Sequence, residues 1–441
     1  MAGLETDSTC PEGRSAVRKT SRRILPFVFV LYIIAYLDRA NVAFAKTTMS
    51  AALGFSEAVF GLGAGIFFIG YLLLEIPSTI LVEKWSARKW ISRILISWGL
   101  CTVLVGLVRS AGQFYAARFA LGVAEAGFFP GIIVYLTHWF PRENRAKAMS
   151  GLILGVPVSL AIGAPLSALI LRCAWLGLEG WRWMFILQGL PAILFGLITP
   201  WYLRDRPGDA RWRDAGEREW LRAKLAAELD QKRRHGKQSI GSVFVRSEVW
   251  MLAFTLLLAN IGGYAFVLWL PATLQRVTGS SASGAAALSV APFSIAAVSM
   301  WLIARSADRT RAWRLHASGA LFATAVFFFL AGSGGRQGWM AAACLCAATA
   351  FVFAWCPPFW VLPTLSLGEI AAATSIGFIN SIGNLGGFVG PSLVGYLLAA
   401  GAPPMLSTSL LCACFLAAGL LVLFIKPGVI PERRRLSTPR P

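Results

Sequence analysis

The sequence predicts an all-α integral membrane protein: 12 transmembrane helices arranged as two six-helix repeats. The first observation is composition. Of 441 residues, 56% are hydrophobic and only 14% charged, with a mean hydropathy of +0.64, whereas a soluble domain carries about a quarter charged residues. The second is segmentation. The apolar runs break into about twelve pieces, each near the roughly 20 residues a helix needs to cross a bilayer. Abundant Ala, Gly, Phe and Trp without strand-like alternation favour helices over a barrel. The third is an internal echo. Glu83-Lys84, with Arg88-Lys89 beyond, closes the second segment, and Asp308-Arg309, with Arg314 beyond, closes the eighth. Gly163-Ala164-Pro165-Leu166-Ser167 in the fifth segment is echoed by Gly390-Pro391-Ser392 in the eleventh. Two such copies imply a parallel repeat about an axis along the membrane normal, with a site at mid-bilayer between the halves.

The net charge of +20 invites a nucleic-acid reading, and the placement of the basic residues argues against it. Arg14, Arg18, Lys19, Arg22 and Arg23 precede the first segment; Lys84, Arg88, Lys89 and Arg93 follow the second; Arg142, Arg145 and Lys147 follow the fourth. The central linker, the turn from Arg305 to Arg314 and the C-terminal end hold most of the others. Only Lys46, Arg109, Arg172, Arg182, Arg276 and Arg336 fall in the alternate loops. The positive-inside rule then puts both termini in the cytoplasm of a bacterial inner-membrane, multi-pass protein. The charge reports topology.

In chain order, residues 1–23 read as a cytoplasmic tail lacking a signal-peptide core, and residues 24–203 as the first six-helix bundle. Residues 204–248 form a cytoplasmic linker in which Trp220, Leu221, Leu225 and Leu229 at helical spacing predict an amphipathic helix. Residues 249–426 are the second bundle and 427–441 a second tail. The cysteines (eight in all) lie mostly in apolar runs without metal-ligand spacing and read as packing residues. His138, His235 and His316 lie at or beyond membrane boundaries. The Gly383-Asn384-Leu385-Gly386-Gly387 run lacks the Lys-Ser/Thr of a phosphate loop.

Charges inside the apolar segments carry the functional signal. Tyr36-Leu37-Asp38-Arg39-Ala40-Asn41 puts an acid and a base where each costs roughly 2.5–3.5 kcal/mol at mid-bilayer. Arg118 and Glu125 in the fourth segment are seven apart, so they share a helix face about 10 Å apart along the axis. Two acids and two guanidinium groups sum to no net charge when all are ionised. The acids are the members able to exchange a proton near neutral pH, since arginine stays protonated. We therefore expect Asp38 and Glu125 to couple to protons, and Arg39 and Arg118 to hold an anion by parallel hydrogen bonds. Tyr36 and Tyr71 are each one turn from a charged residue. Glu75, near the cytoplasmic end of its segment, reads better as structural.

The turn Glu83-Lys84-Trp85-Ser86-Ala87-Arg88-Lys89 and its echo resemble the cytoplasmic signature of the major facilitator superfamily. Ser86 and Ala304 stand where glycine is usual, a departure expected to loosen the latch. Four stretches further resemble the anion:cation symporter family of tartrate, hydroxyphenylacetate and sugar-acid permeases: Tyr36 to Asn41, Gly70-Tyr71 to Ser78, Arg118 to Gly131, and Phe378 to Phe388. The likeness runs from about residue 24 to 426. It implies import of an organic anion, commonly with protons, and no cofactor. It places Tyr36, Tyr71, Trp360 and Asn380 at the substrate, and Glu83, Arg88, Asp308 and Arg309 at a conformational gate. Sugar-acid members use a glutamine in helix five where this chain is apolar near Val156, which disfavours a long polyhydroxy acid. Glu369 departs from the family pattern without a functional account.

The lead expectation is a monomeric proton symporter for a small carboxylate such as tartrate, an aromatic acid or a sugar acid. A sulfonate importer or an anion exchanger is the runner-up, because a guanidinium suits either anion. A drug or cation exporter predicts central acids without the two arginines. A membrane enzyme or sensor needs a nucleophile, metal ligands or a soluble domain that the sequence does not display.

Overall fold

The computed structural model describes residues 11–210, 212, 214–234, 246–333, 338–367 and 369–425. Within them the chain forms helices and no strand. The first half contains α1 (Pro11–Leu53), α2 (Glu57–Lys84), α3 (Ala87–Gly106), α4 (Ala111–Glu125), α5 (Phe128–Thr137), α6 (Arg142–Ile170) and α7 (Gly180–Tyr202). A linker helix, α8 (Ala215–Arg234), follows. The second half contains α9 (Ser247–Thr278), α10 (Ala282–Leu288), α11 (Val290–Thr310), α12 (Trp313–Gly332), α13 (Gly338–Val352), α14 (Cys356–Leu367), α15 (Glu369–Ala399) and α16 (Pro404–Phe424). Among the described residues, eleven helical stretches are long and apolar enough to cross a membrane; α6 adds the shorter apolar run Leu154–Ile170 behind a charged first turn.

Three of the expected segments are divided in two: α4 with α5, α10 with α11, and α13 with α14. The first break matters most. α4 ends at Glu125, and Gly127 takes a left-handed backbone (φ +81°) before α5 begins. That conformation suits glycine, and a Cβ there would collide with the Ser78 side chain of α2. The acid of the fourth segment therefore sits at a helix end, which the sevenfold spacing alone does not reveal.

Within the first half α3 lies on α7, α2 on α4, and α1 on α6; within the second, α9 lies on α15 and α16, and α12 on α13 and α16. The halves meet where α2 packs on α15, α1 on α9, and α6 on α10 and α11. Small residues allow the closest of these approaches, as expected where packing rather than hydrophobicity holds helices together. A Cβ on Gly61 would stand 2.9 Å from the Gly395 Cα, and one on Gly65 would stand 2.8 Å from the Ser392 hydroxyl. These contacts lie at the end opposite the basic loops. At the basic end, α5 packs on α2, α3 and α6, and α14 on helices of its own half. The chain is thus sealed at the weakly charged end, with the halves parted at the basic end.

Residues 11–23, expected as a tail, are helical: α1 runs for 43 residues, about 65 Å at 1.5 Å per residue. The physical reason is α8. Its Trp220 and Leu221 are buried against Ala16, with Val17 and Leu225 alongside. Lys19 lies 3.0 Å from Asp214 and 2.8 Å from Glu217, and the Ser15 hydroxyl donates to Glu217 at 2.7 Å. On its other flank α8 holds the start of α6, through Arg145–Glu228 at 2.8 Å and Lys224–Glu143 at 3.4 Å. The amphipathic helix expected in the linker thus forms and clasps the first half. Residues 235–245 and 426–441 lie outside the described residues.

Two measurements check this clasp. Trp220→Ala should cost the α1–α8 contact about 3 kcal/mol, read as faster hydrogen exchange in α8 and in residues 11–23 with the spanning helices unchanged. The second is its pH dependence. Burial pushes the Glu217 carboxyl up, but hydrogen bonds from Lys19 and Ser15 outweigh it and hold the group below its ordinary value. A depressed carboxyl stabilises above its unfolded pKa and loses that contribution as pH falls through the folded one. Exchange in α8 should therefore rise below about pH 4, and Glu217→Gln should remove that dependence.

Candidate functional site

The charged residues of the interior gather in the first half, around α1. Asp38 is 1% exposed. Its Oδ1 accepts from the Asn41 amide at 2.8 Å and its Oδ2 from the Thr102 hydroxyl of α3 at 2.6 Å. Arg39, one residue on, points to a different partner. Its Nε donates to Glu125 Oε1 at 2.7 Å and its Nη2 stands 2.6 Å from the same oxygen. Glu125 is fully buried and its Oε2 has no hydrogen-bond partner. The Arg39 side chain keeps 17% of its surface exposed.

Aromatic rings frame that guanidinium. Its centre lies 5.3 Å from the Tyr36 ring, 5.2 Å from Tyr71 and 5.6 Å from Phe67. Ring faces attract a cation, more so when it is stripped of water. Tyr32 continues the wall at 5.0 Å from Tyr36. From the second half, Tyr264 of α9 meets Phe68 with ring centres 4.5 Å apart. Trp360 of α14 is half-buried beside Phe359, their ring centres 5.4 Å apart.

Two expected residues are engaged otherwise. Arg118 is 3% exposed, and it donates to the Gly63 and Ala64 carbonyls of α2 at 3.3 and 3.2 Å, 5.0 Å from the Phe67 ring. It contacts neither Glu125 nor Asp38 within ion-pair distance; its shared face with Glu125 places the two together in sequence but not in pairing. Two of its nitrogens thus tie α4 to α2, while its third, Nη1, is buried without a hydrogen-bond partner. Asn380 donates to Glu75 at 2.6 Å, and the Ser381 hydroxyl donates to the other Glu75 oxygen at 3.3 Å. Glu75 is 5% exposed. Among the described residues the interior charges are therefore Asp38, Glu75 and Glu125 with Arg39, Arg118 and Lys46, rather than the four that the sequence suggests.

At the sealed end, Glu57 joins the halves. One carboxylate oxygen takes Lys46 at 2.7 Å, and the other accepts from the Trp269 indole of α9 at 3.0 Å. Thr102, Tyr264, Glu57 and Trp269 were not singled out by sequence. Each is a lone polar or aromatic residue in or beside an apolar run, and only the partner across the fold gives it meaning. Among the described residues no group of His, Cys, Asp and Glu is arranged to hold a metal.

The family model of the Major Facilitator Superfamily matches residues 28–391. The chain belongs to that superfamily. Two proteins of Agrobacterium vitis, each named "Putative tartrate transporter", are 40% and 41% identical to it, the first over 86% of this chain and 88% of its own length. A quinolone resistance transporter of Acinetobacter baumannii is 37% identical over 87% of this chain and 88% of its own. The inner membrane transport protein RhmT of Escherichia coli is 36% identical over 86% and 88%. Among solved structures, the inward-open xylose transporter XylE of E. coli superposes with a TM-score of 0.70 at 14% identity, covering 93% of this chain and 97% of its own. A bacterial homologue of the lysosomal transporter Spinster, inward-facing and occupied, gives 0.69 at 19% identity, covering 91% and 94%. These last two likenesses concern the fold.

The superfamily's signature turn can now be read in space. Arg88, at the start of α3, lies 3.2 Å from Asp205 just beyond α7, and reaches the Pro200 carbonyl at 3.3 Å. Ser86, expected to loosen this turn, makes two hydrogen bonds of its own there. It caps α3 by accepting from the Lys89 amide, and its hydroxyl donates to Asp205 at 2.8 Å. In the second half Asp308 accepts from the Trp313 indole at 3.2 Å, and Arg309 is exposed at the end of α11. The residue that plays the part of Arg88 there is Arg314, which reaches the Leu423 and Ile425 carbonyls at the end of α16 at 3.4 and 2.9 Å. Arg311 takes a left-handed backbone (φ +53°). The Glu83 side chain lies outside the described residues.

Ser86→Ala removes a helix cap and a bond to a carboxylate, so the thermal midpoint in detergent should fall, by about 1 kcal/mol of stability. Ser86→Gly should lose less, because glycine is itself tolerated at such a cap. Equal midpoints for parent and Ser86→Ala would remove the stabilising role given to Ser86.

Proposed function

We propose that this chain imports a small organic anion by proton symport across a bacterial inner membrane, with both termini in the cytoplasm. The observation that carries the reading is the Arg39–Glu125 pair. Two guanidinium nitrogens converge on one carboxylate oxygen, and the same guanidinium is partly exposed among Tyr36, Tyr71 and Phe67. A proton on Glu125 removes the charge that holds Arg39. The freed guanidinium can then take a carboxylate through two parallel hydrogen bonds. Loss of the proton on the other side restores the internal pair and displaces the anion. Asp38, held by Thr102 and Asn41, is the second proton site in this scheme.

The tartrate-named relatives support a carboxylate of few carbons, and aromatic acids suit the ring-lined approach to Arg39. The parting of the halves at the basic end and their closure at the other support a reading of alternating access. The quinolone-named relative leaves an export role for an aromatic acid as the second reading. The basic loops support an open end that faces the cytoplasm, and the same geometry serves either direction.

Proteoliposomes loaded at pH 7.5 and diluted into pH 5.5 buffer with radiolabelled L-tartrate test the proposal. Accumulation above the equilibrium level is expected only with the gradient. Asp38→Asn and Glu125→Gln should abolish it, and Arg39→Lys should raise the half-saturating concentration about tenfold or more. Uptake that ignores the gradient would move the assignment to exchange or sodium coupling.

A further inference from the structure

The charge set around α1 is held entirely within the first half. Asp38 is bound by α1 and α3, Arg39 and Glu125 join α1 to α4, and Arg118 rests on α2 carbonyls. Moving a proton among these groups rearranges one bundle internally. Transport needs that rearrangement to be felt by the other bundle, because a state bias arises only from interactions that differ between the two states.

Side-chain hydrogen bonds between described residues cross from one half to the other at three places. Arg172, just beyond α6, meets Ser283 of α10 at 3.4 Å near the surface, and Glu57 meets Trp269 at the rim of the sealed end. The third is Glu75, whose two carboxylate oxygens both take donors from α15. Of the three, Glu75 alone is buried next to the charge set. Tyr71 precedes it by one helical turn on the same face, and that ring lies under the Arg39 guanidinium. The tight approaches between α2 and α15, at Gly61–Gly395, Gly65–Ser392 and Gly387–Phe68, all lie on the sealed side of Glu75.

We infer that Glu75 is the positioning residue that transmits the charge state of the first half to the second, through Asn380 and Ser381. It acts as the polar pivot on which α2 and α15 part. The groups facing it are Arg39 from α1 and Tyr71 on its own helix, while α15 presents the neutral Asn380, Ser381 and Asn384. A change at Glu125 alters the pull of Arg39 on Tyr71 and Glu75. Glu75 converts that change into a firmer or weaker grip on α15. The inference rests on the charge set acting as a unit, as in the proposed function, yet it names no substrate and no coupling ion.

Its test therefore uses neither. Spin labels at Leu81, on the basic-end turn of α2, and at Leu315, on the first turn of α12, report the separation of the halves in a background whose native cysteines are replaced. Glu125→Gln, the neutral stand-in for a protonated acid, should change the ratio of the two distance populations about threefold or more. In Glu75→Gln the same change should vanish, and Asn380→Ala should reproduce that loss. Glu75→Asp, which keeps the charge, should restore part of the response. Should Glu75→Gln fold poorly, Asn380→Ala and Ser381→Ala carry the test, since neither removes a charge. An unchanged response in the Glu75→Gln or Asn380→Ala background overturns the inference, as does a parent that ignores Glu125→Gln. Failure of tartrate uptake would instead overturn only the substrate reading.

Discussion

A guanidinium buried in a membrane has to be answered, and the answer organises the first half of this chain. Arg39 cannot shed its proton, so α1 and α4 are placed where Glu125 meets it at 2.6–2.7 Å. Meeting it there needs Glu125 at a helix end, which needs the break at Gly127, which in turn needs α2 to yield space at Ser78. Arg118 then ties α4 to α2 by backbone carbonyls. A buried pair is not in itself a source of stability, because desolvation offsets much of its attraction. Its retention here fits a pair that is broken and remade during work.

The same logic explains the uneven use of the two halves. The first half contributes the arginines and the acids, and the second contributes neutral donors and rings: Asn380, Ser381, Trp269, Tyr264 and Trp360. Neutral groups can part and rejoin without exposing a charge to lipid. Acids facing neutral donors, an amide and a hydroxyl at Glu75 and an indole at Glu57, give an interface that separates at modest cost. Close packing through Gly61, Gly65 and Gly395 supplies the rest. Outside the membrane, α8 and the extended α1 bind only first-half elements among the described residues, so the clasp moves with that bundle.

Much of this was legible in advance because lipid restricts what a sequence can do. Segment length, basic loops and the paired signature turns gave the twelve-helix repeat, and Asp38, Arg39 and Glu125 stood out because apolar surroundings make each costly. Partners were harder to read. Adjacency correctly separated Asp38 from Arg39, yet nothing local named Thr102 as the partner of the first. Glu75 was read as structural from its distance along the helix, and it joins the bundles because α15, some three hundred residues away, brings Asn380 opposite it. Ser86 was read as a defect in a glycine position, since Asp205 lies in a different segment and only folding brings it near.

The sequence by itself determined the fold class and the spanning segments, and it singled out Asp38, Arg39, Arg118 and Glu125 as charges within them. Each follows from transfer free energies that depend on residue type and local spacing alone. Only the tertiary structure decided which charge meets which, that Arg118 donates to α2 backbone carbonyls, that the first helix begins at Pro11, and that a third acid reaches across to the second half. Those outcomes depend on directions and distances between helices remote in sequence. The packing of small residues sets them, to within the few tenths of an ångström that decide a hydrogen bond.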